Sequence, residues 1–279
     1  MTAATPQFSV LLPVYVGDDA AHLRRAIESI REQTLRPAEL VVVEDGPVGE
    51  ATAAVLADAE AGDLPVVRVR LPQNRGLAEA LNHGLEACAH EIVARHDADD
   101  VSAPDRFARQ IPLVAEGLDL LGSGMWEFEA DADGAEQRVG TRVPPLDAAA
   151  IRAALPLRDP FNHPTVVYRR SAVLAAGGYP SVGTMEDYLL FARMVAGGAR
   201  VANLPDPLVG YRVSSGAYHR RGGLKLLQTE LRLQRGLLEA GVVTRGQYAR
   251  NVVLRGGYRI IPTWARKPLY RRLFTGARG

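Results

Sequence analysis

The sequence predicts an α/β protein built on a mostly parallel central sheet with helices on both faces. Three observations carry that expectation. Short β-branched runs alternate with helical apolar periodicity through the first hundred residues. Strand, helix, strand at this spacing implies right-handed crossovers and parallel pairing. At 279 residues and 47% hydrophobic content the chain can bury a substantial core.

The elements follow in order. "FSVLLPV" (8–14), "ELVVVE" (39–44), "PVVRVRL" (65–71) and "EIVARHD" (91–97) read as strands. "AAHLRRAIESIREQT", "GEATAAVLADAEAG" and "GLAEALNHGLEACAH" read as the helices between them. After Pro104 comes a helix, "DRFARQIPLVAEG", then a strand, "LDLLGSGMWEFE", with a hairpin-like excursion over 127–146. A short helix (147–155), the loop "PLRDPFNHP", the strand "TVVYRR" and a Gly-rich turn lead into a helix opening at "MEDYLLFARMVAGG". Two strands are expected near 200–204 and 208–213, and two terminal helices near 222–240 and 244–260. The expected organisation is a domain over 1–220, made of a nucleotide-type half (about 1–103) and an acceptor half (104–220). A helical extension with a basic tail follows over 221–279.

Charge and cysteine usage narrow the class. With 33 basic and 32 acidic residues the net charge is +1, which argues against a general nucleic-acid binder. The charge is uneven, because residues 255–279 hold seven Lys or Arg and no acid. A single cysteine, Cys88, rules out an internal disulfide and suits a reducing, cytoplasmic setting. No segment reaches the length of apolar chain that spans a bilayer.

In open α/β sheets ligands bind beyond the carboxyl ends of the strands. "PVYVGDD", "EDGP" and "DADD" all fall there, after the first, second and fourth strands. A G-x-G-x-x-G turn, a P-loop lysine, a G-x-S-x-G elbow and zinc-type His/Cys spacing are all missing. What remains is acidic: Asp45, the cluster Asp97, Asp99 and Asp100, and the pair Glu186 and Asp187. Carboxylates at a crevice mouth suit Mg²⁺ or Mn²⁺, which prefer oxygen ligands and are often shared with substrate phosphates. The same cluster would also serve as a solvated turn capping the next helix. Asp187, at a helix start, reads either as a first-turn acid or as an ionised proton acceptor.

The blocks "FSVLLPVY", "AIESIREQTLRPAELVVVEDGP", "NRGLAEALNHGLEACAHEIVARHDADDVSAPDRFARQ", "FNHPTVVYRRSAV" and "GGYPSVGTMEDYLLFARM" together resemble the family 2 glycosyltransferases with the GT-A fold. The resemblance covers about residues 8–213 and keeps the family's order. It implies an inverting, metal-dependent hexosyltransferase, in which a nucleotide-diphospho-sugar, UDP-linked by preference, gives its sugar to a hydroxyl of a glycan or lipid-linked glycan. Carried over by position, Pro13 and Tyr15 touch the nucleobase and Asp45 hydrogen-bonds it. Arg75 and Asn82 lie on the donor side, and Asp97 supports the sugar or ribose. Asp99 holds Mn²⁺ or Mg²⁺, Asp187 is the catalytic base, and Glu186 and His163 shape the acceptor side. Asp100 is expected to cap the helix that follows.

Two departures stand out. Glu44 replaces the first of a usual aspartate pair, and Ser214 stands where many members place a histidine, with His219 five residues later. Either His219 reaches in, or the basic "HRR" contacts phosphate, or the metal has one ligand fewer. "GGYRIIPTWARKPLYRRLF" interleaves basic and aromatic residues, as in a segment lying on an anionic membrane or in a solvated terminal helix with core-facing aromatics. A peripheral position on the inner membrane face would suit a lipid-linked acceptor in polysaccharide biosynthesis. From another class, the chain could be a non-catalytic nucleotide-sugar-binding or scaffolding subunit of the same fold.

Overall fold

The computed structural model describes residues 6–130, 136–213 and 224–256. The chain divides into two compact units, the first holding 1–181 with 186–213, the second 182–185 with 214–279.

The first unit is a nine-stranded sheet with helices packed on it. Its strands are β1 (Phe8–Val14), β2 (Glu39–Glu44), β3 (Val66–Arg70), β4 (Ile92–Arg95), β5 (Val101–Ser102), β6 (Leu120–Ala130), β7 (Glu136–Arg142), β8 (Val167–Arg169) and β9 (Val201–Arg212). Its helices are α1 (Ala20–Arg31), α2 (Glu50–Glu60), α3 (Leu77–Ala87), α4 (Arg106–Ala115), α5 (Ala148–Ala154), α6 (Arg170–Ala175) and α7 (Glu186–Ala196). The order across the sheet is β3-β2-β1-β4-β8-β6-β9-β5, with β7 paired to β6.

The four N-terminal strands pair in parallel, as their alternation with helices requires. β1, β2 and β4 are buried throughout, the pattern of strands covered on both faces. α1 shows how one crossover is anchored. Asp19 accepts from the backbone N–H groups of Ala21 and His22 at its N-terminus, and Leu23, Ala26, Ile27 and Ile30 turn inward at helical spacing. Leu23, Ile27 and Ile30 join Val10, Leu12, Leu40 and Val42 in the core.

Beyond β4 the pairing changes. β8 enters antiparallel to β4 and β6, β6 and β9 run parallel, and β7 folds back on β6 as the expected hairpin. The two strands expected near 200–204 and 208–213 are one, β9. Pro205 and Pro207 lack the N–H that a ladder needs, and a strand would ordinarily break there. Register shifts opposite Ser123–Met125 absorb them instead, and a Cβ at Gly124 would stand 2.7 Å from the Pro205 carbonyl oxygen.

The second unit contains α8 (Leu224–Glu239) and α9 (Arg245–Asn251), the latter running into a π-helical turn, Val252–Gly256. Leu233, Leu237 and Val243 are buried, so the leucine stripe of α8 is a core stripe there. Thr244 and Gln247 close a capping box at the start of α9. Glu230, fully buried, accepts from Arg255 Nε at 2.6 Å and Gln234 Nε2 at 3.0 Å. Ser214, His219 and residues 257–279 lie outside the described residues. Among those described, no helix is long and apolar enough to cross a membrane.

Candidate active site

Because β1, β2 and β4 are parallel neighbours, their carboxyl ends share one edge of the sheet, and the acidic residues gather there. The turn after β4 places ligand atoms of Asp97, Asp99 and Asp100 within 4.8 Å of one another. A buried strand, β4, ends in a buried cation: Arg95 is 2% exposed, and its guanidinium grips the Asp97 carboxylate. Asp99 is exposed, yet surrounding protein and the Asp97 charge raise its pKa. Asp100 is fully buried, and burial, then Asp97 and Asp99, push its pKa well up.

The expected cap role of Asp100 is not what the structure shows. Its Oδ1 accepts from the Arg212 backbone N–H at 3.1 Å, while the residue preceding α4 is Asp105, which makes no side-chain cap bond. The reason is β5, which pairs with β9 and draws the turn across to Arg212. Arg212 Nε also donates to the Asp99 carbonyl at 3.2 Å. Asp100 Oδ2 has no partner among the described residues. Three converging carboxylates with a free buried oxygen form a hard, all-oxygen donor set that fits a divalent cation.

The second acidic pair opens α7. Asp187 Oδ1 accepts from the Tyr188 N–H at 2.8 Å, and Oδ2 lies 3.7 Å from His163 Nδ1. Burial holds His163 neutral, with Arg95 adding to the effect, so this contact is not an ion pair. His163 Nε2 lies 3.1 Å from the Tyr179 hydroxyl, and its ring meets the edge of Phe191. The helix dipole was expected to favour ionised Asp187, an effect of about 0.3–1 kcal/mol. Burial, which can move a buried carboxyl by far more than that, outweighs the dipole and raises the Asp187 pKa. Glu186, 5% exposed, is pushed up to about 7 by burial and by Asp187.

The donor-side candidates divide. Pro13 is buried in β1, while Tyr15 just beyond is exposed, with ring atoms 2.5 Å from where a Gly17 Cβ would stand. Asp45 is 5% exposed and its carboxylate accepts from the backbone N–H groups of Arg75 and Gly76, at 2.6 and 2.9 Å. It therefore ties the loop before α3 to the end of β2. Gly46, at φ +84°, makes the turn, and a Cβ there would strike Asn74 N at 2.6 Å. The Arg75 side chain is exposed. Asn82 spends both ends of its amide on the Tyr179 main chain, at 2.9 and 2.8 Å, bracing α3 against the Gly-rich turn. Glu44 is held by Arg68 and Arg70 of β3.

Three residues escaped the sequence reading. Arg95 partly offsets the raised pKa of Asp99, Asp100, Glu186 and Asp187 alike, so its charge acts on both the acidic turn and the start of α7. Its signal was available, since a charge inside an otherwise apolar buried strand needs partners. Asp18 is raised to about 6 by burial, and also by Asp99 and Asp97, so it faces the acidic turn from the end of β1. Asp159 accepts from the Phe161 N–H at 3.0 Å, and its pKa is pushed well up by burial and by Asp187. Neither aspartate can be told from an ordinary turn residue in the sequence.

A parallel α/β edge carrying an acidic turn, with a carboxylate helix facing it, is the layout of a GT-A glycosyltransferase, and solved structures of that fold match the chain. They include Staphylococcus aureus TarS 1-349 in complex with UDP-GlcNAc (TM-score 0.67, 18% identity, 96% of this chain and 76% of that one). They also include the mannosyltransferase PcManGT from Pyrobaculum calidifontis in complex with GDP-Man and Mn²⁺ (TM-score 0.65, 20% identity, 96% and 76%). Residues 9–176 match the model of glycosyl transferase family 2, and the chain belongs to that family. Among its relatives is the amylovoran biosynthesis glycosyltransferase AmsE of Erwinia amylovora, 37% identical over 95% of this chain and 98% of the relative. Another is the UDP-Gal:alpha-D-GlcNAc-diphosphoundecaprenol beta-1,3-galactosyltransferase of Escherichia coli, 30% identical over 98% of each.

Proposed function

We propose that the protein is an inverting hexosyltransferase that moves a sugar from a nucleotide-diphospho-sugar, UDP-linked by preference, to a hydroxyl of a lipid-linked glycan in polysaccharide biosynthesis. One observation carries this reading: the clustered carboxylates of Asp97, Asp99 and Asp100 are gripped through Asp97 by buried Arg95, whose charge also acts on Glu186 and Asp187 at the start of α7. The names of the AmsE and galactosyltransferase relatives support the acceptor class, and the UDP-GlcNAc complex of TarS supports the donor class.

In this reading Asp187 takes the proton of the acceptor hydroxyl as that oxygen attacks the anomeric carbon. The C–O bond to the diphosphate breaks on the opposite face, and the nucleoside diphosphate leaves with the bonding pair. Burial keeps Asp187 more basic than an ordinary carboxylate, which favours the transfer. Neutral His163 borders the base without donating positive charge to it. Tyr15 and Asp45 bind the nucleobase end, directly and through the Arg75–Gly76 loop. Asp99, supported by Asp97, would hold Mn²⁺ or Mg²⁺. Such a cation, when bound, neutralises charge on the diphosphate.

The test is nucleotide release from UDP-, GDP- and dTDP-sugars with and without Mn²⁺, beside an Asp99→Ala variant. Release from one donor class, lost with EDTA and reduced at least about a hundredfold in Asp99→Ala, is the expected result. The reading is wrong if no donor is bound or consumed, or if turnover persists in Asp99→Ala with EDTA present.

A further inference from the structure

A second concave surface lies on the sheet, joined to the acidic turn through Arg212. On β6, Trp126 and Phe128 alternate onto one face. Their register partners on that face are Thr141 and Arg138 of β7, and Gly210 and Arg212 of β9. Gly210 is decisive, because a Cβ there would come within 2.5 Å of the indole ring. The Trp126 ring therefore lies across the neighbouring strand, and it remains only half-buried. Phe128 is covered by the Arg212 guanidinium, 4.5 Å above its ring.

Together Trp126, Phe128, Glu136, Arg138 and Pro207 line an open groove of about 380 Å³. Its rim is polar and only partly spent. Glu136 accepts from Arg212 Nη2 at 3.2 Å and its other oxygen faces Arg25 Nη2 at 3.9 Å, and Arg138 Nη2 donates to Thr141 Oγ1 at 2.9 Å. A carboxylate offers about four acceptor sites and a guanidinium five donors, so both keep capacity for a ligand. Arg212 joins the groove to the acidic turn through its bonds to Asp99 and Asp100.

The half-buried indole of Trp126, with the donor Arg138 and then the acceptor Glu136 following along β7, fits the amphipathic face of a hexopyranose. The C–H face packs on the indole, and adjacent hydroxyls donate to Glu136 and accept from Arg138. We propose that this groove holds a neutral hexopyranose unit of the acceptor glycan, behind the sugar whose hydroxyl is attacked. The identity of the glycan as acceptor rests on the proposed function; the binding of a hexopyranose does not.

The chain has two tryptophans, Trp126 and Trp264, so a Trp264→Phe protein makes Trp126 the sole reporter. Its emission is titrated with methyl galactopyranoside, methyl glucopyranoside, methyl N-acetylglucosaminide and lactose, to about 50 mM, in the presence of saturating UDP. A saturable change for at least one glycoside is expected, weakened about fivefold or more by Arg138→Ala and by Glu136→Gln. Both are exposed rim positions, so neither leaves the cavity that Trp126→Ala would open over Gly210. The proposal is overturned if no glycoside alters the emission, or if the response is undiminished in both rim variants. Binding without consumption of any donor would sink the proposed function and leave this groove standing; donor consumption without glycoside binding does the reverse.

Discussion

At the residue scale the catalytic assignment turns on one carboxylate and its surroundings. Asp187 faces neutral His163 and lies within the field of Arg95, Asp97 and Asp159, with Glu186 beside it. Burial is the largest influence and raises its pKa, and Arg95 only partly offsets that. The base must be ionised to act, so activity is lost as pH falls through that raised value. The acid limb of kcat/KM should therefore lie above the ordinary carboxylate range. Asp187→Asn keeps the shape and removes the base; kcat should fall about 10²–10⁴-fold, with nucleotide affinity unchanged by titration calorimetry. An unchanged kcat would remove Asp187 from the mechanism. Its place at a helix start was legible, because an acidic pair there is a local pattern, while its role as base comes from the family resemblance. Arg95 was legible only as a charge in need of partners, because which carboxylates it serves depends on convergence of segments far apart in the chain. Asp100 was misjudged for the same reason: its partner, Arg212, lies on β9.

At the element scale the first turn of α7 carries a folding cost. Glu186 is buried, its Oε2 has no partner among the described residues, and its pKa is pushed from 4.5 to about 7. Between those values the folded protein holds a proton that the unfolded chain has lost, so this residue's contribution to stability falls as pH rises from about 4.5 to 7. Glu186→Gln removes the titration. Urea unfolding at pH 5 and pH 8 should show the variant gaining on the wild type by about 2.5 kcal/mol between the two, since about 1.8 pK units of the rise from 4.5 to about 7 are crossed in that window, at about 1.4 kcal/mol each. A pH-independent difference would mean that Glu186 is solvated as an ordinary carboxylate. Elements themselves were the most readable level. β1 to β4 and the helices between them follow from periodicity, while β5, two residues long, has no signal of its own and exists through its pairing with β9. The continuity of β9 was not legible, since the register shifts that accommodate its prolines lie opposite Ser123–Met125 of β6.

At the scale of the whole molecule, charge and chemistry separate along the chain. Residues 1–254 carry 26 basic and 32 acidic groups, a balance of −6, and every candidate site residue lies within them. Residues 255–279 carry +7, interleaved with Trp264, Tyr270 and Phe274. An acidic body is repelled by an anionic bilayer, yet the proposed acceptor is lipid-linked, so something must bring the two together. Each Lys or Arg near an anionic surface contributes about 1 kcal/mol, which makes this segment sufficient for a salt-sensitive attachment. A chain ending at Gly256 keeps the Arg255–Glu230 pair and loses six of the seven basic groups. It should sediment with phosphatidylglycerol vesicles at least about tenfold less than the full chain at low salt. Release of nucleotide from the donor in solution should stay within about twofold, because Asp99, Asp45 and Asp187 belong to the first compact unit. Equal vesicle binding by both chains would move the membrane contact elsewhere; loss of donor turnover on truncation would show that the segment serves the site instead.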